Sequence, residues 1–368
     1  MSESNMSESN MTESNVLALH QSLVSIPSLS HEETDAANFL EDVLRKAGLQ
    51  VRRIEDNIVA EFGSTHGPVL MLNSHLDVVP PSSDHPFPPF EATLKDGKVY
   101  GRGAVDAKAS VAAMCTAMMD LFRSGFHPEG KVQGVFTVCE ETGGQDNGLE
   151  RVLQEIPLPD AVLVGEPTFM QPCVAQKGLL ILRLDAKGKT AHAARAGYGD
   201  NAISRMVRDI AKLEAHSFER VHDYLGETTA NVTVIEGGSA RNVIPDLCSC
   251  FVDIRSTPSY THDEIAESLN QMLESEVHIH SKRFVPTDTD PSSQIVQACL
   301  SASPGATAFG SPTMSDWIHL KDIPAVKIGP GDSTLSHTAA EHVEVEELQR
   351  GAAIYKNIIT SFFGKSDV

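Results

Sequence analysis

The chain of 368 residues is 41% hydrophobic and 21% charged, and its 29 basic and 50 acidic side chains leave a formal net charge of −21. Its length exceeds the roughly 250–300 residues at which a single core stops growing, so two domains are expected. The acidic balance repels phosphate backbones and anionic lipid, which argues against nucleic acid and membrane as partners, and no apolar run approaches the ~20 residues of a bilayer span.

Residues 1–15 repeat a pentad, MSESN MSESN MTESN, with too little apolar content to offset the entropy of ordering, and are read as a disordered tail. The start has no basic segment leading into an apolar one, so a cytoplasmic protein is expected. Val16 to Val24 reads as helix. Ser30 with Glu33 has the spacing of a capping box ahead of a second helical run through Ala36, Phe39, Leu40, Val43 and Leu44, which stops at Gly48. Apolar runs of strand length follow at Ile58 to Phe62, Val69 to Leu72, Val132 to Cys139 and Ala161 to Val164. Helical segments lie between them at Ala107 to Ser124 and Gly148 to Ile156. Strands alternating with helices point to an α/β sheet covered on both faces.

From Lys177 the order becomes strand, helix, strand, strand, helix, strand (Leu179 to Ala186, Asn201 to His216, Ala230 to Ile235, Asp246 to Ile254, His262 to Glu274, Val277 to Phe284), the βαββαβ order of a ferredoxin-like unit. A polar stretch from Thr287 to Ser293 ends it, and an amphipathic helix from Val345 to Phe363 closes the chain. The expected layout is one α/β domain from residues 16–176 and 286–368, interrupted by an inserted domain over 177–285. The six cysteines form no CxxC pair and are expected to be reduced and mostly buried. Cys248 and Cys250 should share a core face of one strand.

Acidic and histidine residues gather just past strand ends, where open α/β sheets place their ligands. VLMLNSHLDVVP carries His75 and Asp77, VFTVCEE ends in Glu140 and Glu141, and AVLVGEP carries Glu166. Asp106 opens the helix after GRGAV, and His337 follows the late strand AVKIG. Two histidines and five carboxylates at one edge would be a costly like-charged cluster unless cations neutralise it. Imidazole with carboxylate suits zinc and its neighbours, and one carboxylate shared between two ions suits a two-metal hydrolytic site. Asp77 is placed to accept the proton of the non-ligating nitrogen of His75. In the Glu140-Glu141 pair, successive side chains of an extended segment point opposite ways, so one could bind metal while the other faces a water as general base.

Each residue alone has an ordinary structural reading; the joint pattern carries the signal. Other patterns fail. GRGAVD lacks the full GxGxxG spacing, Asp35 breaks HExxH after His31-Glu32, and His278 with His280 reads as surface.

HLDVVP (His75 to Pro80), GRGAVDAK (Gly101 to Lys108), CEETGG (Cys139 to Gly144), VGEPT (Val164 to Thr168), and GPG (Gly329 to Gly331) followed by Ser336-His337 resemble the dinuclear zinc amidohydrolase family of acetylornithine deacetylase, succinyl-diaminopimelate desuccinylase, aminoacylase and glutamate carboxypeptidase. The resemblance implies an α/β catalytic domain, a mixed sheet flanked by helices, split by a ferredoxin-like α+β domain through which the chain forms a homodimer. It implies two divalent ions per chain, Zn2+ first and Co2+ as the alternative. His75, Glu166 and bridging Asp106 would hold one, and Glu141, His337 and the same Asp106 the other, with Glu140 as the base. In the inserted domain it implies His192 (TAHAARAG) as an oxyanion donor, Arg255 (VDIRSTP) as the fork for a substrate carboxylate, and Asn242 (ARNVIP) as a further substrate contact. Ala109 stands where the family often has Gly, and no proline precedes Gly197 after His192.

The ending VGEPT, GPG, SH is most similar to the acetylornithine deacetylase branch, so the expected reaction is hydrolysis of an N-acyl amino acid to a carboxylate and a free amine, with a place in arginine biosynthesis. Desuccinylation needs a further cation, for which Arg195, Arg241 and Lys177 are available. A dipeptidase or glutamate carboxypeptidase would use the same metals and base. A non-catalytic metal-dependent binding protein would have no need of Glu140 beside a complete ligand set.

Overall fold

The computed structural model describes residues 15–143 and 146–364. Residues 1–14 of the expected tail, and Gly144 of the CEETGG motif, lie outside the described residues. Asn15, read as part of that tail, belongs to the first helix: its side chain accepts from Ala18 N at 3.2 Å and caps α1 (Val16–Val24).

In chain order there follow α2 (Thr34–Lys46), β1 (Gln50–Ile54), β2 (Asn57–Gly63), β3 (Val69–His75), β4 (Thr93–Lys95), β5 (Lys98–Tyr100), α3 (Lys108–Arg123), β6 (Lys131–Thr137), α4 (Gly148–Val152), β7 (Ala161–Val164) and β8 (Cys173–Gln176). Next come β9 (Gly178–Lys187), β10 (Ala191–His192), α5 (Ala202–Ala215), β11 (Thr229–Gly237), β12 (Val243–Ile244), β13 (Leu247–Ser256), α6 (His262–Met272) and β14 (Glu276–Phe284). The chain ends with β15 (Thr287–Asp288), α7 (Gln294–Ala302), β16 (Phe309–Ser311), β17 (Ala325–Lys327), β18 (His342–Glu344) and α8 (Val345–Phe363). Two compact units result: Ala175–Asp288 with Phe309–Met314, and the rest of the described residues. The short return Phe309–Met314 has no counterpart in a single continuous insert. It groups with the second unit, where Lys177 N donates to Ser311 O at 3.0 Å.

The larger sheet is mixed, in the order β1-β2-β6-β3-β7-β17-β8-β15 with β16 beside β8. Its centre, β6-β3-β7-β17, is parallel, which brings the carboxyl ends of four strands to one edge. Alternate residues of these strands feed opposite layers. Leu70, Leu72, Val132, Phe136 and Leu163 join the core with α1, α3, α7 and α8, while Met71, Val135, Val162 and Val164 join a smaller one with α4 and Trp317.

The second unit has the antiparallel order β11-β13-β9-β14, the ferredoxin-like arrangement of βαββαβ, and a ribbon of β10 with β12. One sheet face is core: Leu180, Leu182 and Leu184 of β9, with Cys248, Cys250, Val252 and Ile254 of β13, pack with Met206, Leu213, Ile265 and Leu269 of α5 and α6. Cys248 and Cys250 therefore share one buried face, and all six cysteines are buried free thiols.

The capping box expected at Ser30 and Glu33 does not form. The residue before α2 is Glu33 itself, with no side-chain cap. Ser30 Oγ donates instead to Asp77 Oδ2 at 2.8 Å, and Glu33 Oε1 accepts from Cys139 N at 3.0 Å. Both side chains serve a rim far away in sequence: Ser30 gives its proton to a charged acceptor there, and the Glu33 carboxylate takes a backbone N–H from it, each a charge-assisted bond that outcompetes a local cap.

Candidate metal centre

The parallel strands deliver the acidic and imidazole groups. His75 is the last residue of β3, buried to 1% exposure. Its Nδ1 lies 3.0 Å from the Asp77 carbonyl and 3.5 Å from Asp77 Oδ1. Its Nε2 faces Asp106 Oδ1 at 3.3 Å and Glu166 Oε1 at 3.8 Å. On the other side His337 Nε2 lies 2.9 Å from Glu141 Oε1 and 3.5 Å from Asp106 Oδ2. Two donor groups follow, His75-Asp106-Glu166 and Asp106-Glu141-His337, each with its ligand atoms within 4.8 Å of one another and both using Asp106. Glu140 belongs to neither.

The turn after β6 is held by Asp77, whose Oδ1 accepts from Glu140 N and Oδ2 from Glu141 N, both at 3.1 Å. Cys139 just before them has φ of 58°, a left-handed conformation held by its N–H to Glu33. His337 likewise sits at φ 64°, after Gly331 at φ 90°, where a Cβ would lie 2.3 Å from Val105 Cγ2.

Burial sets the electrostatics. It raises the Glu166 carboxyl to about 8, with Asp106 adding to the effect, and it raises Glu140 well above its ordinary range, opposed by His75 and helped by Glu166, Asp316 and Glu141. Burial also presses His75 to lose its proton, but hydrogen bonds to Asp106 and Asp77 outweigh it and raise the imidazole. The hydrogen bond to Glu141 raises His337. Divalent cations would neutralise this clustered negative charge. Nitrogen and carboxylate oxygen at this spacing fit zinc-like ions.

His192, Asn242 and Arg255 belong to the second unit. Pairing of β10 with β12 sets His192 opposite Val243, and Ala193 N donates to Asn242 O at 2.8 Å, which brings the first two together. His192 is exposed; its Nδ1 accepts from Ala194 N at 3.1 Å, so the ring proton of a neutral imidazole stands on Nε2. Arg255 holds Asp253 with Nε at 2.9 Å and Nη2 at 3.2 Å, which occupies one edge of the fork. Lys177 donates to Glu227 O at 2.7 Å, whereas Arg195 and Arg241 are exposed.

Sequence reasoning missed Ser30, Glu33, Arg102 and Glu341, all of which contact the backbone or side chains of this rim. No sequence signal marks them, because the burial of Glu33, Arg102 and Glu341 shows only after folding.

Residues 71–361 match peptidase family M20/M25/M40. A succinyl-diaminopimelate desuccinylase of Wolbachia pipientis is 28% identical over 377 residues, covering 95% of this chain and 94% of its own. Among solved structures, aminopeptidase PepT of Bacillus cereus superposes with a TM-score of 0.75 at 21% identity, over 94% of this chain and 98% of that one. The Bacillus subtilis YXEP protein, described as a dinuclear metal-binding peptidase, does so with 0.73 at 16%, over 95% and 97%. With the mixed sheet, the shared Asp106 and a family match across most of its length, the chain belongs to peptidase family M20/M25/M40 and is a hydrolase of that family.

Proposed function

We propose that the chain hydrolyses the amide bond of an N-acyl amino acid at a two-metal centre, with an N-acetylornithine-like substrate as the first candidate. The observation that carries this reading is the pair of donor groups sharing Asp106, with the Glu140 carboxyl beside them and outside both. His75, Asp106 and Glu166 would hold one ion, and Asp106, Glu141 and His337 the other, with Zn2+ preferred over Co2+ for this donor set. Bound there, the ions would acidify a shared water and polarise the scissile carbonyl.

Glu140 takes the proton from the attacking water on its carboxylate and returns it to the departing amine. A carboxyl beside the donor groups and outside both is placed for both transfers. Asp77 holds His75 through Nδ1, so that Nε2 points at the ion. His192, with its proton on Nε2, donates to the developing oxyanion, and Asn242 beside it contacts substrate. The free edge of Arg255 binds the substrate carboxylate. The second unit mediates a homodimer, supported by its edge strand β11, where Val234 and Ile235 are 46% and 50% exposed. Six free buried thiols suit a reducing cytoplasm, and no described helix is long and apolar enough to cross a membrane.

The name of the Wolbachia relative favours a second reading, desuccinylation of a diaminopimelate derivative. Steady-state hydrolysis of acetylornithine, acetylcitrulline, acetyl-lysine, succinyl-diaminopimelate and a Glu-terminated dipeptide, with zinc-loaded and chelated protein, decides between them. Metal-dependent turnover of an acetyl substrate supports deacetylation, whereas a preference for the succinyl substrate replaces it. Two bound ions with no turnover would make the chain a metal-dependent binding protein.

A further inference from the structure

The loop Gly101–Ala107 between β5 and α3 is almost wholly buried but belongs to no strand, so its N–H groups must find partners singly. Arg102 N donates to Pro89 O at 2.8 Å and Ala104 N to Gly101 O at 3.2 Å. Val105 N and Asp106 N instead both donate to Glu341 Oε1, at 3.1 and 3.2 Å. The second oxygen of that carboxylate is paired with the Arg102 guanidinium, which also reaches the His337 carbonyl at 3.4 Å. Arg102 is 2% exposed and Glu341 1%.

We propose that the Arg102–Glu341 pair is a positioning brace for both ions, fixing the backbone of the shared ligand Asp106 against that of His337. The proposal rests on the metal-ligand reading above. Stability does not account for the pair, since a buried ion pair is often no better than an apolar one of the same volume. Its geometry does: one acceptor gathers the N–H groups of Val105 and Asp106, and the arginine ties that acceptor to the loop that carries His337. The arginine also cancels the charge. A lone carboxylate would add to a rim that already holds Asp106, Glu140, Glu141 and Glu166, and the paired one adds no net charge.

The test is zinc titration of the chelator-stripped full chain by calorimetry, with the melting temperature of the metal-free protein alongside. Two double variants remove the charge pair and differ only in the acceptor: Arg102→Met with Glu341→Gln keeps an oxygen for Val105 and Asp106, and Arg102→Met with Glu341→Leu does not. The expected result is two ions for the wild type, weaker binding of the ion at the His337 group alone for the glutamine double, which keeps the acceptor at Asp106 but loses the arginine's tie to His337, and about 10–100-fold weaker binding of both ions for the leucine double. Should the leucine double not fold, Glu341→Asp withdraws the carboxylate by one methylene at constant charge and is expected to weaken both ions with an unchanged circular dichroism spectrum. A purely structural pair would lower both melting temperatures and leave the doubles with equal Kd values, and equal values overturn the brace alone. Fewer than two ions in the wild type overturns the ligand reading and the brace with it.

Discussion

His75 and Asp77 face each other through His75 Nδ1, 3.0 Å from the Asp77 carbonyl and 3.5 Å from its Oδ1, which leaves Nε2 aimed at Asp106 and Glu166. The same Asp77 carboxylate receives Glu140 N and Glu141 N, so one side chain orients groups from two strands. Asp77→Ala is expected to weaken metal binding by about 10–100-fold with little change in circular dichroism. Competition with a fluorescent chelator measures it, and wild-type affinity would remove Asp77 from the orienting role.

Glu140→Gln keeps the size of the side chain and removes its capacity to carry the water's proton. A drop of about 100–10,000-fold in kcat is expected, with two ions still bound by elemental analysis. Full activity in this variant would assign the base elsewhere.

Ions that bind the folded chain and not the unfolded one stabilise it by mass action. At a free zinc concentration about 100 times Kd, each site contributes about 2.7 kcal/mol, so the metal-loaded protein should melt several degrees above the chelated one. The His337→Ala variant should lose about half of that shift, because only one of the two donor groups contains this residue. Scanning calorimetry at fixed zinc makes the comparison.

Asp209 on α5 ties down the turn before β14, accepting from Ser275 N at 2.7 Å, Ser275 Oγ at 2.6 Å and Glu274 N at 3.0 Å. Burial opposes its ionisation, but these hydrogen bonds and Lys212 outweigh that and lower its pKa below the ordinary aspartate value of 3.8. Its contribution is therefore complete above pH 3.8 and fades as pH falls through the lower folded value. Asp209→Ala is expected to cost about 2–3 kcal/mol at pH 7 by leaving the buried Ser275 N–H and hydroxyl unpaired. The gap in urea midpoint between wild type and variant should narrow on acidification below that value; a constant gap would refute the charge-dependent part.

The helices and central strands were legible because periodicity is a local property. Val345–Phe363 and Val16–Val24 match their apolar spacing residue for residue, and continuous apolar runs marked β3, β6 and β7. The edge strand Gln50–Ile54 was missed because two arginines interrupt it, with Arg52 reaching Glu155 and Arg53 reaching Asp56 at its surface. The short strand Cys173–Gln176 ends in a polar glutamine, so it lacks the unbroken apolar run that marked β7. Ser30 and Glu33 were misread because a capping box and a long-range pair of acceptor contacts share the same residue types.

What the sequence determined by itself was the chemical inventory and its order: histidine and carboxylate at successive strand ends, a glutamate beside them, and a βαββαβ stretch between the two halves. The tertiary structure decided how near these groups come to one another, which imidazole nitrogen faces them, and which buried charges hold the loops. Those depend on contacts between residues far apart in the chain, such as Glu341 with Asp106, and local spacing carries no information about a hydrogen bond that forms only when two loops are folded together.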